Sequence, residues 1–154
     1  MYHYSKADHP QAALTDLGLE ENTRRVRIRT MAEVYPIAAR IQDWMQALAY
    51  PRLDVLCVRL TLLEAVANAI HHGNRDDPAK HVEVRYLVRP WEVIVEVHDE
   101  GRGFDPNAVP GPRPDDPDAK PTGWGLLLMR AYTNCLSFNP RGNQVTLYRR
   151  RSEP

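Results

Sequence analysis

The sequence predicts a two-layer α/β sandwich, with a mixed, mostly antiparallel sheet of about five strands packed against three helices. Three observations carry this. Short runs such as Arg25-Val26-Arg27-Ile28-Arg29 alternate polar and apolar residues with a period of two. Two longer segments repeat apolar residues every three or four positions. The order of these patterns is strand, helix, helix, hairpin, helix, hairpin, in a chain of 154 residues that suits one core.

Each element has its own signal. Residues 1–22 are polar and mixed, without a clear period, and read as a loosely ordered N-terminal arm before a domain over 23–154. The first strand should turn Val26 and Ile28 inward and leave its arginines wet. Thr30 and Glu33 make a capping box for a helix carrying Met31, Val34, Ile37, Ile41, Trp44, Met45 and Leu48. Pro36 belongs in that helix's first turn. After the break at Tyr50-Pro51, a second helix is predicted over 53–72. Its core stripe is Leu53, Leu56, Leu60, Leu63, Ala67 and Ile70, and Gly73 is the stop. Valine-rich runs at 81–88 and 91–98 flank Arg89-Pro90 as a hairpin. Trp44 and Trp91 fall at core-phase positions. Residues 101–123 are rich in Gly, Pro and Asp, and a loop of that length is usually functional, here a lid over 105–122. A third helix over 123–132 and a hairpin pairing Leu136-Ser137-Phe138 with Val145-Thr146-Leu147-Tyr148 complete the chain.

Composition narrows the function classes. Lys+Arg and Asp+Glu are both 20, which argues against a surface built to grip nucleic acid phosphates directly. Two cysteines, Cys57 and Cys135, make neither a disulfide framework nor a zinc site, and both read as buried thiols. The start has no signal-peptide core, and no apolar run is long enough to span a membrane. The expected location is therefore cytoplasmic, without membrane contact.

Three separated segments carry chemistry. Glu64 and Asn68 are four apart on the second helix, so they share a face, where a carboxylate and an amide suit Mg²⁺ and a hydroxyl or water. An ordinary polar helix margin would look the same. Asp99-Glu100-Gly101-Arg102-Gly103-Phe104 follows a buried strand. An acid there can accept a hydrogen bond from an exocyclic amine, while glycines admit a close ligand; a plain glycine turn is the competing reading. Thr122-Gly123-Trp124-Gly125-Leu126 opens an apolar helix whose N-terminus favours an anion such as phosphate. A flexible loop capped by a helix is the bland alternative.

In this order, the three segments resemble the N, G1 and G2 boxes of the GHKL ATPase superfamily, with its Bergerat-type ATP site. The short chain and the two helices before the hairpin resemble, within it, the anti-sigma factor and serine-protein kinase family typified by RsbW and SpoIIAB. The resemblance covers roughly residues 24–150. It implies ATP or ADP as ligand with Mg²⁺, Asn68 as the metal ligand and Glu64 as the general base. Asp99 would bind the adenine amino group, Gly101 and Gly103 would line the nucleotide, and Gly123, Trp124, Gly125 and Leu126 would meet the phosphates. His72 and Asn74 would lie near the ribose and phosphates.

Two positions depart from the family pattern. Pro121 stands where family kinases often carry an arginine; the neighbouring Lys120, a point charge without a bidentate fork, is one candidate substitute, and Arg113 and Arg102 are the others. Asn143 stands at the place of the family's threonine in the last hairpin, with Thr146 close by as the alternative. The activity implied is transfer of the γ-phosphoryl group to a serine or threonine of a STAS-type antagonist, with a sigma factor as a further partner and a homodimer as the assembly. The alternative is a nucleotide-binding switch module that sequesters a regulatory protein without phosphorylating it.

Overall fold

The computed structural model describes residues 23–109 and 123–153. The expected arm at 1–22 and most of the expected lid, including Lys120 and Pro121, lie outside the described residues. Strand β1 (Arg24–Ile28) leads through a 3₁₀ turn (Met31–Glu33) into helix α1 (Val34–Ala47). Helix α2 (Arg52–Asn68) ends in a π-helical turn (Ala69–Gly73). Then come β2 (Val82–Val88), β3 (Glu92–Asp99), α3 (Trp124–Tyr132), β4 (Cys135–Phe138) and β5 (Gln144–Arg150).

The five strands lie in the order β1-β2-β3-β5-β4. Every pairing among the described residues is antiparallel, so the sheet is simpler than the mixed one expected. Register stacks the valines: Val84 lies between Val26 and Val97, and Val97 in turn faces Val145. Val82, Val84, Tyr86, Val93, Val95 and Val97 are buried against residues of the three helices, which makes the core continuous from sheet to helix layer. The cap of α1 forms as the spacing predicts. The Glu33 carboxylate accepts from the Arg29 and Thr30 N–H groups and from the Thr30 hydroxyl, at 2.8, 2.9 and 3.1 Å.

Three sequence expectations are corrected. Leu53 and Leu56 are 61 % and 50 % exposed, and the sheet-facing side of α2 is instead Val55, Val58, Leu62, Ala65 and Val66. That helix is apolar on more than one face, so spacing alone offers two phases and packing selects the β-branched one. Trp91 shares the parity of Val93 but sits in the turn before β3 and is 59 % exposed. Of the two thiols expected to be buried, Cys57 is buried and Cys135 is only half-buried at the sheet edge.

The end of β5 is tied to the start of α2. Asp54, fully buried, accepts from Arg149 Nη2 at 2.6 Å and Nε at 3.0 Å, and from the Ser152 N–H and hydroxyl at 2.8 Å each. Arg151 donates to the carbonyls of Leu48, Ala49 and Pro90. A buried carboxylate is tolerated because its lone pairs are taken up by charged and neutral donors.

Candidate functional site

The carboxyl end of β3 and the π turn after α2 meet at Asp99. A π turn is a rare local widening of a helix, and such turns concentrate at functional sites. Here it closes with the Asn74 N–H on the Ala69 carbonyl at 2.8 Å. It delivers Gly73 against the Asp99 carboxylate so closely that a Cβ on Gly73 would overlap the carboxyl group. Gly101 is equally constrained: a Cβ there would collide with the Gly73 carbonyl and lie 2.6 Å from Asp99 Oδ1. The glycines at 73 and 101 are therefore steric requirements of this carboxylate.

Asp99 itself is 9 % exposed, and its Oδ1 accepts from the Gly101 N–H at 2.8 Å. Burial pushes its carboxyl above the usual carboxylate range, against the pull of that N–H and of His98, Arg141 and Lys80. Two amides hold the surrounding backbone. Asn74 donates to the His81 carbonyl and accepts from the Glu100 N–H, both at 2.8 Å, so it ties the end of the π turn to both β2 and the glycine loop. Asn143 donates from Nδ2 to the Asp99 carbonyl at 3.0 Å, while the Asp99 N–H donates to the Asn143 carbonyl at 3.0 Å. Asn139 orients that amide, donating to Asn143 Oδ1 at 2.8 Å. The loop crosses the last hairpin where Gly103 (φ 78°) and Gly142 (φ 76°) lie back to back, each with a neighbouring carbonyl where a Cβ would stand.

The other end of the site is built by α2 and α3. Gly123 caps α3 in the left-handed region (φ 85°), which starts the helix abruptly. One residue into it, Gly125 packs on Glu64: a Cβ at 125 would overlap the Glu64 carboxylate. The N-terminus of α3 thus abuts the acid that the spacing singled out, and Asn68 lies one turn further along the same face of α2. Glu64 and Asn68 are half-buried, His72 and Trp124 exposed, and Leu126 buried in the core.

The fold thus brings Glu64 to Gly125, and Asp99 to Gly73 and Gly101. It uses both ends of the Asn74 amide internally, and it buries the Leu126 side chain, so only the backbone of that residue faces outward chemistry. Lys120 lies outside the described residues. Sequence reasoning missed the roles of Gly73, Asn139 and Gly142; the signal for the last two was the turn Asn139-Pro140-Arg141-Gly142-Asn143, read only as a hairpin link. His71, beside the exposed His72, pairs with Asp76 at 2.6 Å. A cleft of about 510 Å³ lined by Phe104, Asp105, Arg130, Phe138 and Arg141 opens beside the glycine loop, but Glu64, Asn68 and Asp99 do not line it. No helix among the described residues is long and apolar enough to cross a membrane.

The chain is similar to known proteins in sequence and in fold. An anti-sigma F factor of Anoxybacillus flavithermus is 27 % identical over 100 residues, spanning 62 % of this chain and 68 % of that protein. The crystal structure of the RsbU and RsbW domains of a Mycobacterium tuberculosis protein superposes with a TM-score of 0.54 at 19 % identity, which shows a shared fold. It covers 85 % of this chain, which spans one third of that longer chain. The resemblance read from the three boxes holds. The model of the histidine kinase-like ATPase domain matches residues 29–149, and the chain belongs to that family.

Proposed function

We propose that this domain binds ATP between α2, the β3 end and the start of α3, and transfers its γ-phosphoryl group to a serine or threonine of a partner protein. The partner class that fits the family resemblance is a STAS-type antagonist, with a sigma factor as the second protein held by the same domain in a cytoplasmic switch. The observation that carries this reading is the paired glycine–acid packing: Asp99 against Gly73 and Gly101, and Glu64 against Gly125.

The residues fit the nucleotide chemically. Asp99 is a buried acceptor whose second oxygen suits an exocyclic amine, and the missing Cβ atoms of Gly73 and Gly101 let the backbone close directly around its carboxylate. The start of α3 offers free backbone N–H groups where phosphate charge is best accommodated. Asn68 supplies the amide oxygen that a hard cation such as Mg²⁺ prefers, and Mg²⁺ would neutralise phosphate charge there. Glu64, one turn away, is placed to accept the proton of an incoming hydroxyl. Its contact with Gly125 keeps it beside the phosphate-binding helix turn, so base and phosphate are aligned by one packing contact.

The deciding experiment incubates the protein with Mg²⁺, γ-labelled ATP and a STAS-type antagonist. Label on the antagonist that disappears in Glu64→Ala supports kinase turnover. ADP binding by calorimetry without label would replace that reading with a sequestering module, and no nucleotide binding at all would defeat both.

A further inference from the structure

The Asp99 carbonyl is held by the Asn143 amide, and the orientation of that amide is dictated by Asn139. The Asn143 and Gln144 backbone N–H groups both donate to Asn139 Oδ1, at 3.0 and 3.2 Å. Only an oxygen can accept them, so Asn139 Nδ2 turns the other way and donates to Asn143 Oδ1 at 2.8 Å. The Asn143 NH₂ group then faces β3. It donates to the Asp99 carbonyl at 3.0 Å and meets Nε2 of His98 at 3.1 Å. An amide NH₂ is a donor alone, so Nε2 has to accept, and the ring proton belongs on Nδ1.

The surroundings of the ring suit the neutral form. His98 is exposed, whereas Asn143 is 5 % exposed. The charged groups around it among the described residues are already committed. Glu83, opposite on β2, pairs with Arg25 at 2.7 Å and lies 3.5 Å from Arg27. Glu96, on the same face of β3, pairs with Arg85 at 3.1 Å, and Glu100 lies 3.7 Å from His81. Asp99 accepts from Gly101 and feels the charge of Arg141, while β5 presents the uncharged Gln144. A proton on Nε2 would set N–H against N–H. Turning the Asn143 amide over would satisfy the imidazolium, but it would point two amide NH₂ groups at each other and an oxygen at the Asp99 carbonyl.

We propose that His98 is a positioning residue for the adenine end of the site, acting through Asn143. Its neutral ring fixes the Asn143 amide, and the amide holds the peptide that leads from β3 into the glycine loop. The same residue takes the Asp99 N–H on its own carbonyl, so Asn143 grips Asp99 on both sides and sets where its carboxylate points. Protonating the ring loosens that grip and weakens nucleotide binding. The inference rests on the proposed role of Asp99 as the acceptor for the nucleotide. Imidazoles take up a proton at about pH 6.5, so the effect belongs to mildly acidic conditions.

The test is ADP affinity by calorimetry between about pH 8 and about pH 5.5, in the parent and in His98→Gln. The glutamine oxygen can accept from Asn143 at every pH, so this variant keeps the bond and loses the switch. Asp99, the other histidines and the nucleotide phosphates titrate with both chains, and the ratio of the two dissociation constants isolates His98. The chains should bind alike at the upper pH, and the parent should be about three- to tenfold weaker than the variant at the lower one. A ratio that stays constant overturns the proposal and leaves the nucleotide reading standing. Absence of ADP binding by the parent at every pH defeats the nucleotide reading and this proposal with it. Ring ¹⁵N spectra of the unaltered chain decide without any variant or ligand. At the upper pH the His98 proton should sit on Nδ1, and an Nε2–H ring overturns the proposal even where ADP binds.

Discussion

The two ends of the site are built on different terms. Around Asp99, the carboxylate, both neighbouring glycines and the amides of Asn74 and Asn143 are packed or hydrogen-bonded into one arrangement. Around Glu64, the groups are half-buried or exposed, with a single tight contact at Gly125. A site that must recognise a rigid flat ring gains from preorganisation, because ordering costs are met on folding. An end that must admit a second macromolecule and release a product gains from openness. On the proposed function, affinity would reside at the first end and turnover at the second.

Substitutions can break that division. Glu64→Gln should lower phosphoryl transfer by about 10²–10⁴-fold while leaving ADP affinity within roughly twofold, read by single-turnover assay and calorimetry. A matching loss of affinity would mean the two ends are not separate. Gly101→Ala forces a Cβ onto the Gly73 carbonyl. It should cost on the order of 100-fold in ADP binding and about 1–3 kcal/mol in stability by chemical denaturation. Wild-type binding in this variant would remove the adenine end from the argument.

Asp99→Asn should weaken ADP about 10–100-fold, yet leave the domain at least as stable at neutral pH. The sign follows from the raised carboxyl. The folded state holds this proton more readily than the unfolded one, whose value is about 3.8. Stability therefore falls as pH rises from there through the folded value, and the burial cost is fully present above it. Denaturation curves across that window should show the fall in the parent and a flatter profile in the variant. Asn74→Ala strands the Glu100 N–H and the His81 carbonyl and should cost about 1–3 kcal/mol in denaturant melts. The smallest effect is Arg27→Ala, an exposed partner of Glu83, expected within about 0.5 kcal/mol and without change in ADP binding.

Much of this was legible in the chain. The hairpin strands, the cap at Glu33 and the third helix follow from local periods and turn residues that report on their own neighbourhoods, while the three boxes were legible through their resemblance to the GHKL superfamily. The phase of α2 was not, because leucines on one side and β-branched residues on the other both satisfy helical spacing, and only the sheet distinguishes them. Trp91 failed for a related reason: parity says which face a residue takes, not whether anything covers it. The resemblance put Asn74 near the ribose and phosphates; that its amide also ties the His81 carbonyl to the Glu100 N–H was not legible, because those partners lie seven and 26 positions away. Gly73 was read as a helix stop, which it is. That it also makes room for Asp99 depends on a contact between residues 26 positions apart.

The strand order also sets a timetable for folding. The β2–β3 and β4–β5 pairs close over a few residues each, whereas joining Arg24 to Tyr86 closes a loop of about 60. The hairpin that ends in Asp99 can therefore form early, while β1 is recruited after both long helices exist. Core truncations such as Val95→Ala should slow refolding, whereas Val26→Ala should mainly speed unfolding, in stopped-flow chevrons. On this schedule the end of the site proposed to hold the adenine ring takes shape before the edge strand is in place, and a chain still completing its sheet would already carry the acid proposed to meet the nucleotide.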